Sequence, residues 1–286
     1  MTEKGFDFYG TLHDLLTQIP DGMKTTVRDI AEAMGNERAS EAIAESLKRE
    51  EYEYSRGKIV RRADGRAMIF KDFKTDRPLE RLADLQRKMS ARVVQTDSFE
   101  SAELFAGVDV AYSGDHAYGA CAVLDGDLRT VDIYETTMKV SFPYISGYLA
   151  FREGPVIEAL AERAAHFDVL MVNGHGMAHP RKCGLASQVG IELDRPTIGV
   201  ASRLILGRVE SSVNGWSPVI YRGRVVGAML KRKGFSCVYV SVGHKISLET
   251  AIGIIKKTQV AGGNPEPLRV AHMRAIEMRR TDKPSA

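Results

Sequence analysis

Residues 104–140 read LFAGVDVAYSGDHAYGACAVLDGDLRTVDIYETTMKV, and this stretch decides the fold. Three strand-like runs, 104–112, 118–124 and 129–140, are separated by Ser113-Gly114-Asp115 and Asp125-Gly126-Asp127. Short Gly/Asp segments between β-prone runs are hairpin signals. Downstream the pattern changes. A helical period at about 151–165 precedes a short apolar run at 169–172, and a second at 184–193 precedes the run at 197–201. Runs at 218–221 and 225–231 flank Arg222-Gly223-Arg224, a strand at 237–241 leads into a helix at 248–258, and a last helix follows Pro267. Three antiparallel strands followed by alternating strands and helices predict an α/β fold with a mixed sheet and helices on its faces.

The bulk numbers bound the rest. With 286 residues, 44% of them hydrophobic, the chain holds one large domain or two ordinary ones. A net charge of +3 is too small to signal a nucleic-acid binder, so any basic surface must be local. Cys121, Cys183 and Cys237 are odd in number and widely spaced, which argues against a disulfide framework and for a reducing compartment. The N-terminal MTEKGFDFYG lacks the apolar core of a signal peptide, and no apolar run reaches the roughly 20 residues of a membrane span. A cytoplasmic, soluble monomer is expected.

Residues 1–75 predict a separate small domain. Leu12, Leu15, Leu16 and Ile19 keep helical spacing until Pro20-Asp21-Gly22. A second helix runs from about Thr26, a capping hydroxyl, to Met34, and a third spans 39–47. Ile59-Val60 and Met68-Ile69-Phe70, on either side of Ala63-Asp64-Gly65, predict a hairpin wing, so a winged helix-turn-helix is expected. Arg56, Lys58, Arg61, Arg62 and Arg66 against Asp64 would make that wing basic. Residues 71–92 read as a helical connector, with Pro78 at a helix start, and the second domain is expected over 79–286.

The chemistry-bearing residues stand at the edges of apolar runs. Asp109 follows Phe105-Ala106-Gly107-Val108, Glu153 opens a helical run, and Asn173 ends Val169-Leu170-Met171-Val172. Oxygen donors at the mouths of separate elements suit a hard divalent cation. His175, His179 and Cys183, spaced four apart, invite a zinc reading, but Gly174, Gly176 and Pro180 break any continuous helix and no fourth ligand is evident. Asn173-Gly174 is also a pair prone to deamidation, because glycine leaves the following backbone nitrogen free to attack.

Three strings carry a resemblance: GVDVAY (107–112), PYISGYLAFREGP (143–155) and VLMVNGHGMAHPRKCGLAS (169–187). Over about 200 residues the chain resembles endonuclease V, a nuclease for deaminated nucleic acid with a ribonuclease H-like sheet. The resemblance implies Mg²⁺, with Mn²⁺ as second candidate, held by Asp109, Glu153 and Asn173. It implies catalysis by Asp109, Glu153 and His244, the histidine of Val240-Ser241-Val242-Gly243-His244. Tyr144, Gly147, Arg152, Gly174, His179 and Arg181 would meet nucleic acid, with Tyr144 as the wedge that holds the strand open. The expected partner is DNA with deaminated bases such as inosine, or RNA, cut at the second phosphodiester 3′ to the lesion. Two departures stand out. Asn173 replaces the family's third carboxylate, and Ser202 replaces a lysine after Gly199-Val200-Ala201. They leave open a catalytically weak or inactive lesion-binding homologue.

The N-terminal stretch IPDGMKTTVRDIAEAMGNERASEAIAESL (19–47) with IVRRADG (59–65) resembles the DNA-binding domain of methylguanine-DNA methyltransferases. The positions that this family uses are lost: Gly57 stands at the acceptor cysteine, Glu41 at the base-flipping arginine and Val27 at the phosphate-rotating tyrosine. Alkyl transfer needs a nucleophilic sulfur, so this resemblance implies a DNA-docking scaffold without chemistry.

Overall fold

The structure, a computed structural model, describes residues 6–61, 67–164, 166–212, 215–231, 234–260 and 263–282. The chain divides into two compact units: Met1–Leu85 with Ser141–Tyr148, and Gln86–Val140 with Leu149–Ala286. The sequence suggested a break between 75 and 79. The division falls instead at Leu85, and an eight-residue segment from the middle of the chain joins the first unit.

In the first unit, helix α1 (Phe8–Thr17) buries Phe8, Leu12, Leu15 and Leu16 and is capped by Asp7, which accepts from the Tyr9 amide. Strand β1 (Thr25–Thr26) leads into α2 (Val27–Ala33). Thr26 and Asp29 form a reciprocal capping box there, and Lys71 lies 3.1 Å from the buried Asp29. A 3₁₀ turn (Glu37–Ala39) links α2 to α3 (Ser40–Ser46), and a second one (Glu50–Lys58) leads to β2 (Ile59–Val60). Helix α4 (Pro78–Ser90) starts at Pro78, as its fixed φ favours.

The predicted hairpin between 59–60 and 68–70 does not form. β2 pairs with β1 in parallel, and Ile69 bridges Lys24 in parallel. The Lys24 amide donates to Met68 and its carbonyl accepts from Phe70. Residues 24–26 therefore lie between the two runs and take up their hydrogen bonds. Two of the expected wing cations are engaged locally: Arg56 with the Lys48 carbonyl and Lys58 with that of Ile19. Arg62, Asp64 and Arg66 lie outside the described residues.

Segment 141–148 is tied into this unit by rings and one hydroxyl. Phe142 packs edge-on against Phe6 and Phe8, at 5.9 and 6.1 Å between centroids. The fully buried Tyr148 donates to the Leu79 carbonyl (2.9 Å) and accepts from the Asn36 amide (2.8 Å).

The second unit is built on one nine-stranded sheet, in the order β5-β4-β3-β6-β7-β11-β10-β9-β8. Strands β3 (Phe105–Ser113), β4 (His116–Leu124) and β5 (Thr130–Lys139) are the antiparallel meander predicted from 104–140. Helix α5 (Leu149–Arg163) crosses to β6 (Val169–Asn173), which pairs with β3 in parallel, and α6 (Leu185–Leu193) crosses to β7 (Thr197–Ala201). The two-residue β8 (Arg208–Val209), too short for a periodic signal, borders β9 (Ser217–Tyr221), followed by β10 (Arg224–Leu230) and β11 (Val238–His244). Helices α7 (Leu248–Thr258) and α8 (Glu266–Thr281) end the fold. Val108, Val172, Val156 and Leu160 share one core cluster with α6 residues, and Phe105, Val200, Ile255 and Leu268 share another. Helices α5 and α6 thus cover one face and α7 and α8 the other. No described helix is long and apolar enough to cross a membrane.

Removing the cap oxygen with Thr26→Ala leaves first-turn amides of α2 unpaired. The full-length protein is expected to lose about 1 kcal/mol of stability in the first unit, read as a lower urea midpoint for its transition.

Candidate active site

Asp109 sits on β3 one step past the paired residues Val108 and Val172, at the carboxyl end of β6. It is 8% exposed. Both its oxygens are engaged: Asn173 Nδ2 donates to Oδ1 (2.8 Å), and His272 Nδ1 donates to Oδ2 (2.6 Å). A carboxylate oxygen only accepts, so Nδ1 of His272 carries a proton, and in the neutral ring Nε2 is then the acceptor. The ring is half-exposed.

Close packing puts His272 there. A Cβ on Gly107 would lie 2.2 Å from the Pro267 carbonyl carbon, so only glycine lets the start of α8 rest on β3. Gly107 and Asp109 share a strand face, and Leu268 and His272 share a helix face one turn apart. The contact at 107 therefore aims His272 at Asp109. The sequence reading missed His272. Its four-residue spacing from Leu268, behind Pro265-Glu266-Pro267, was the available signal.

Glu153, on the second turn of α5, is half-buried. Burial first, and then the negative charge of Asp109, push its carboxyl up to about 8, while the Tyr112 hydroxyl and the Arg152 guanidinium pull the other way. Arg152 lies 4.0 Å over the Tyr112 ring, a cation–π contact at the carboxylate's side. Asp109 and Asn173 thus lie together, with Glu153 close enough to feel the Asp109 charge. The three make a donor set of two carboxylates and one amide. Among the described residues no group of three or more His, Cys, Asp or Glu side chains could hold a metal. The set still fits a hard cation, which binds oxygen and would offset the burial and the Asp109 charge that raise Glu153.

Other predicted residues are placed differently. His244 pairs with Thr197 at the start of β7, whereas Asn173 pairs with Val200 near its end. It therefore stands at the opposite end of the sheet from Asp109. It is 4% exposed, and its Nδ1 accepts from the Val94 amide (3.2 Å). Burial, and then Lys245, lower its pKa, and the bond from the Val94 amide requires an Nδ1 without a proton. Tyr144 (64% exposed) and Gly147, at φ 86°, belong to the first unit. Gly174 and Gly176 are explained by internal packing: added Cβ atoms would meet Leu185 at 3.0 Å and the Val242 carbonyl at 2.0 Å. The Gly174 amide donates to the Val200 carbonyl (2.9 Å), so it is not free to attack Asn173. His179 is buried and accepts from the Arg181 amide, and Arg181 donates to Gln86 Oε1 (2.7 Å). Ser202 is exposed just past β7.

Comparison with known proteins gives the same direction. A family model described as Endonuclease V matches residues 87–273. The chain belongs to the endonuclease V family. Endonuclease V enzymes are nucleases that repair DNA containing deaminated bases such as inosine. The chain is 44% identical to an endonuclease V of Thermofilum pendens, over 69% of this chain and 87% of that one. It is 32% identical to a bifunctional methyltransferase/endonuclease of Picrophilus torridus, with 98% of this chain and 99% of that one covered. The chain resembles the crystal structure of Ciona intestinalis endonuclease V in complex with a DNA containing an inosine followed by a ribo-adenosine. That match has a TM-score of 0.67 and 26% identity and covers 73% of this chain and all of that one.

Two predictions follow from the geometry. Asn173→Asp replaces a donor to Asp109 by a third negative charge. In chelator the variant should melt below the natural protein, and Mg²⁺ should raise its melting temperature by more. A thermal scan with and without the ion reads both signs. His244 titrates lower in the folded state than the roughly 6.5 of an unfolded chain. The unfolded chain therefore binds more protons over that range, so this contribution is present above about pH 6.5 and is lost as pH falls through it. Urea midpoints from pH 5 to 8 should rise with pH, and His244→Gln should flatten part of that slope.

Proposed function

We propose that this chain hydrolyses the second phosphodiester 3′ to inosine in DNA, leaving 3′-hydroxyl and 5′-phosphate ends. The observation that carries the reading is the Asp109–His272 hydrogen bond, set beside Glu153 and Asn173 at one end of the sheet. Asp109 and Glu153, with the Asn173 amide oxygen, would hold Mg²⁺ or Mn²⁺. When bound, such an ion offsets phosphate charge and makes a nearby water more acidic. Asp109 fixes the His272 tautomer, so Nε2 is ready to take the proton of the attacking water. The water oxygen bonds to phosphorus as the P–O3′ bond breaks. Asn173 contributes no charge, so this site needs more ion than one with three carboxylates.

The first unit supplies docking rather than chemistry. None of the three cysteines lies in Met1–Leu85 or Ser141–Tyr148, so the unit has no thiol to accept an alkyl group. Gly57, at the acceptor position, has open space around it. The unit carries Tyr144, read as the wedge that keeps an extruded base apart from its stack.

A nicking assay on an inosine duplex with Mg²⁺, and again with Mn²⁺, tests this. Asp109→Asn should leave less than about a tenth of the rate, a loss above ~1.4 kcal/mol in the barrier. His272→Gln should lower the rate about 100-fold, while both variants still bind the duplex in a gel-shift. Full activity in His272→Gln would remove the proton-accepting role. No cleavage by the natural protein with either ion, but retained inosine binding, would favour a lesion-binding homologue.

A further inference from the structure

The hairpin of β9 and β10 turns at Arg222 and Gly223, both at positive φ, 50° and 73°. Such turns favour Asn-Gly, because an arginine in the left-handed region crowds its own Cβ. Beside the hairpin the second unit carries a cleft of about 540 Å³, within the ~300–1,000 Å³ of ligand sites. Trp216, the chain's single tryptophan, and Tyr221 supply aromatic surface to it. Lys182, Arg222 and Arg224 supply three cations against one carboxylate, Glu249. All four charged residues are exposed, and both aromatics are partly so. Arg222 lies 5.2 Å over the Tyr221 ring. Among the described residues the three cations make no ion pair. Asp109, Glu153, Asn173 and His272 do not line the cleft, and β7 and β11 separate β10 from β6.

Unpaired cations around aromatic faces match a polyanion that carries flat rings. The lining holds no buried polar side chain to read a base edge, so recognition there is by ring face and phosphate. We infer that this cleft is a second nucleic-acid site, which holds a single-stranded segment of the substrate away from the scissile bond. A base stacks on Trp216 or Tyr221, and phosphates lie against Lys182, Arg222 and Arg224. The inference deepens the nuclease reading by adding a place for flanking strand.

The position of Trp216 supplies the readout. The full-length protein, in chelator, is titrated with an oligothymidylate of about 12 nucleotides, within single-strand site sizes, while tryptophan fluorescence is followed. Quenching is expected, with an affinity that falls as roughly the second power of salt, the slope for three phosphate contacts on single strands. R222E/R224E should weaken binding at least tenfold, and so should K182E, which lies on a different element. Unchanged melting temperatures show that the variants are folded. Absence of quenching, binding unaffected by both variants, or equal quenching by thymidine monophosphate or inorganic phosphate each overturns the inference. The probe lacks inosine and the assay lacks a divalent ion, so failure here is distinct from failure of incision.

Discussion

A methyl group at residue 107 would overlap the backbone of α8, and the active-site geometry depends on that exclusion. Because β3 offers a bare Cα there, Pro267 and Leu268 settle directly on the strand. One helical turn on, His272 meets Asp109 two residues along the same strand face. The parallel pairing of β3 with β6 brings Asn173 to the other oxygen of the same carboxylate. A β-branched residue at 107 would suit strand propensity better, but it would cost the site its histidine.

The electrostatics of the site follow from this crowding. Two carboxylates approach each other in a partly buried place, and the one on α5 responds by holding its proton more tightly. Such a pair is unfavourable on its own and is compatible with a nearby cation. Asn173 changes this balance, because its amide donates to Asp109 where a third carboxylate would repel it.

The two units share out the functional elements in a way that linear order hides. Residues 141–148 lie between β5 and α5 in the chain, yet their buried rings and the Tyr148 hydroxyl are satisfied by Phe6, Phe8, Asn36 and Leu79. Tyr144 therefore belongs to the first unit, whereas Asp109, Glu153, Asn173 and His272 belong to the second. The N-terminal stretch thus has a structural task in holding that segment.

Much was legible in the sequence because it is local. Hairpin residues between apolar runs marked the meander, helical spacing marked α1, α5 and α7, and Thr26 marked the start of α2. The place of Asn173 was legible too, since a residue at the end of a buried run must emerge at a sheet edge. What periodicity could not decide was long-range pairing. Which strands flank 24–26, where segment 141–148 packs, and which histidine reaches Asp109 depend on contacts between residues far apart in the chain. His244 and His272 both stand close to apolar runs. Only the antiparallel entry of β11, which carries His244 to the far end, and the bare Cα of Gly107, which admits α8, determine that His272 faces the carboxylate.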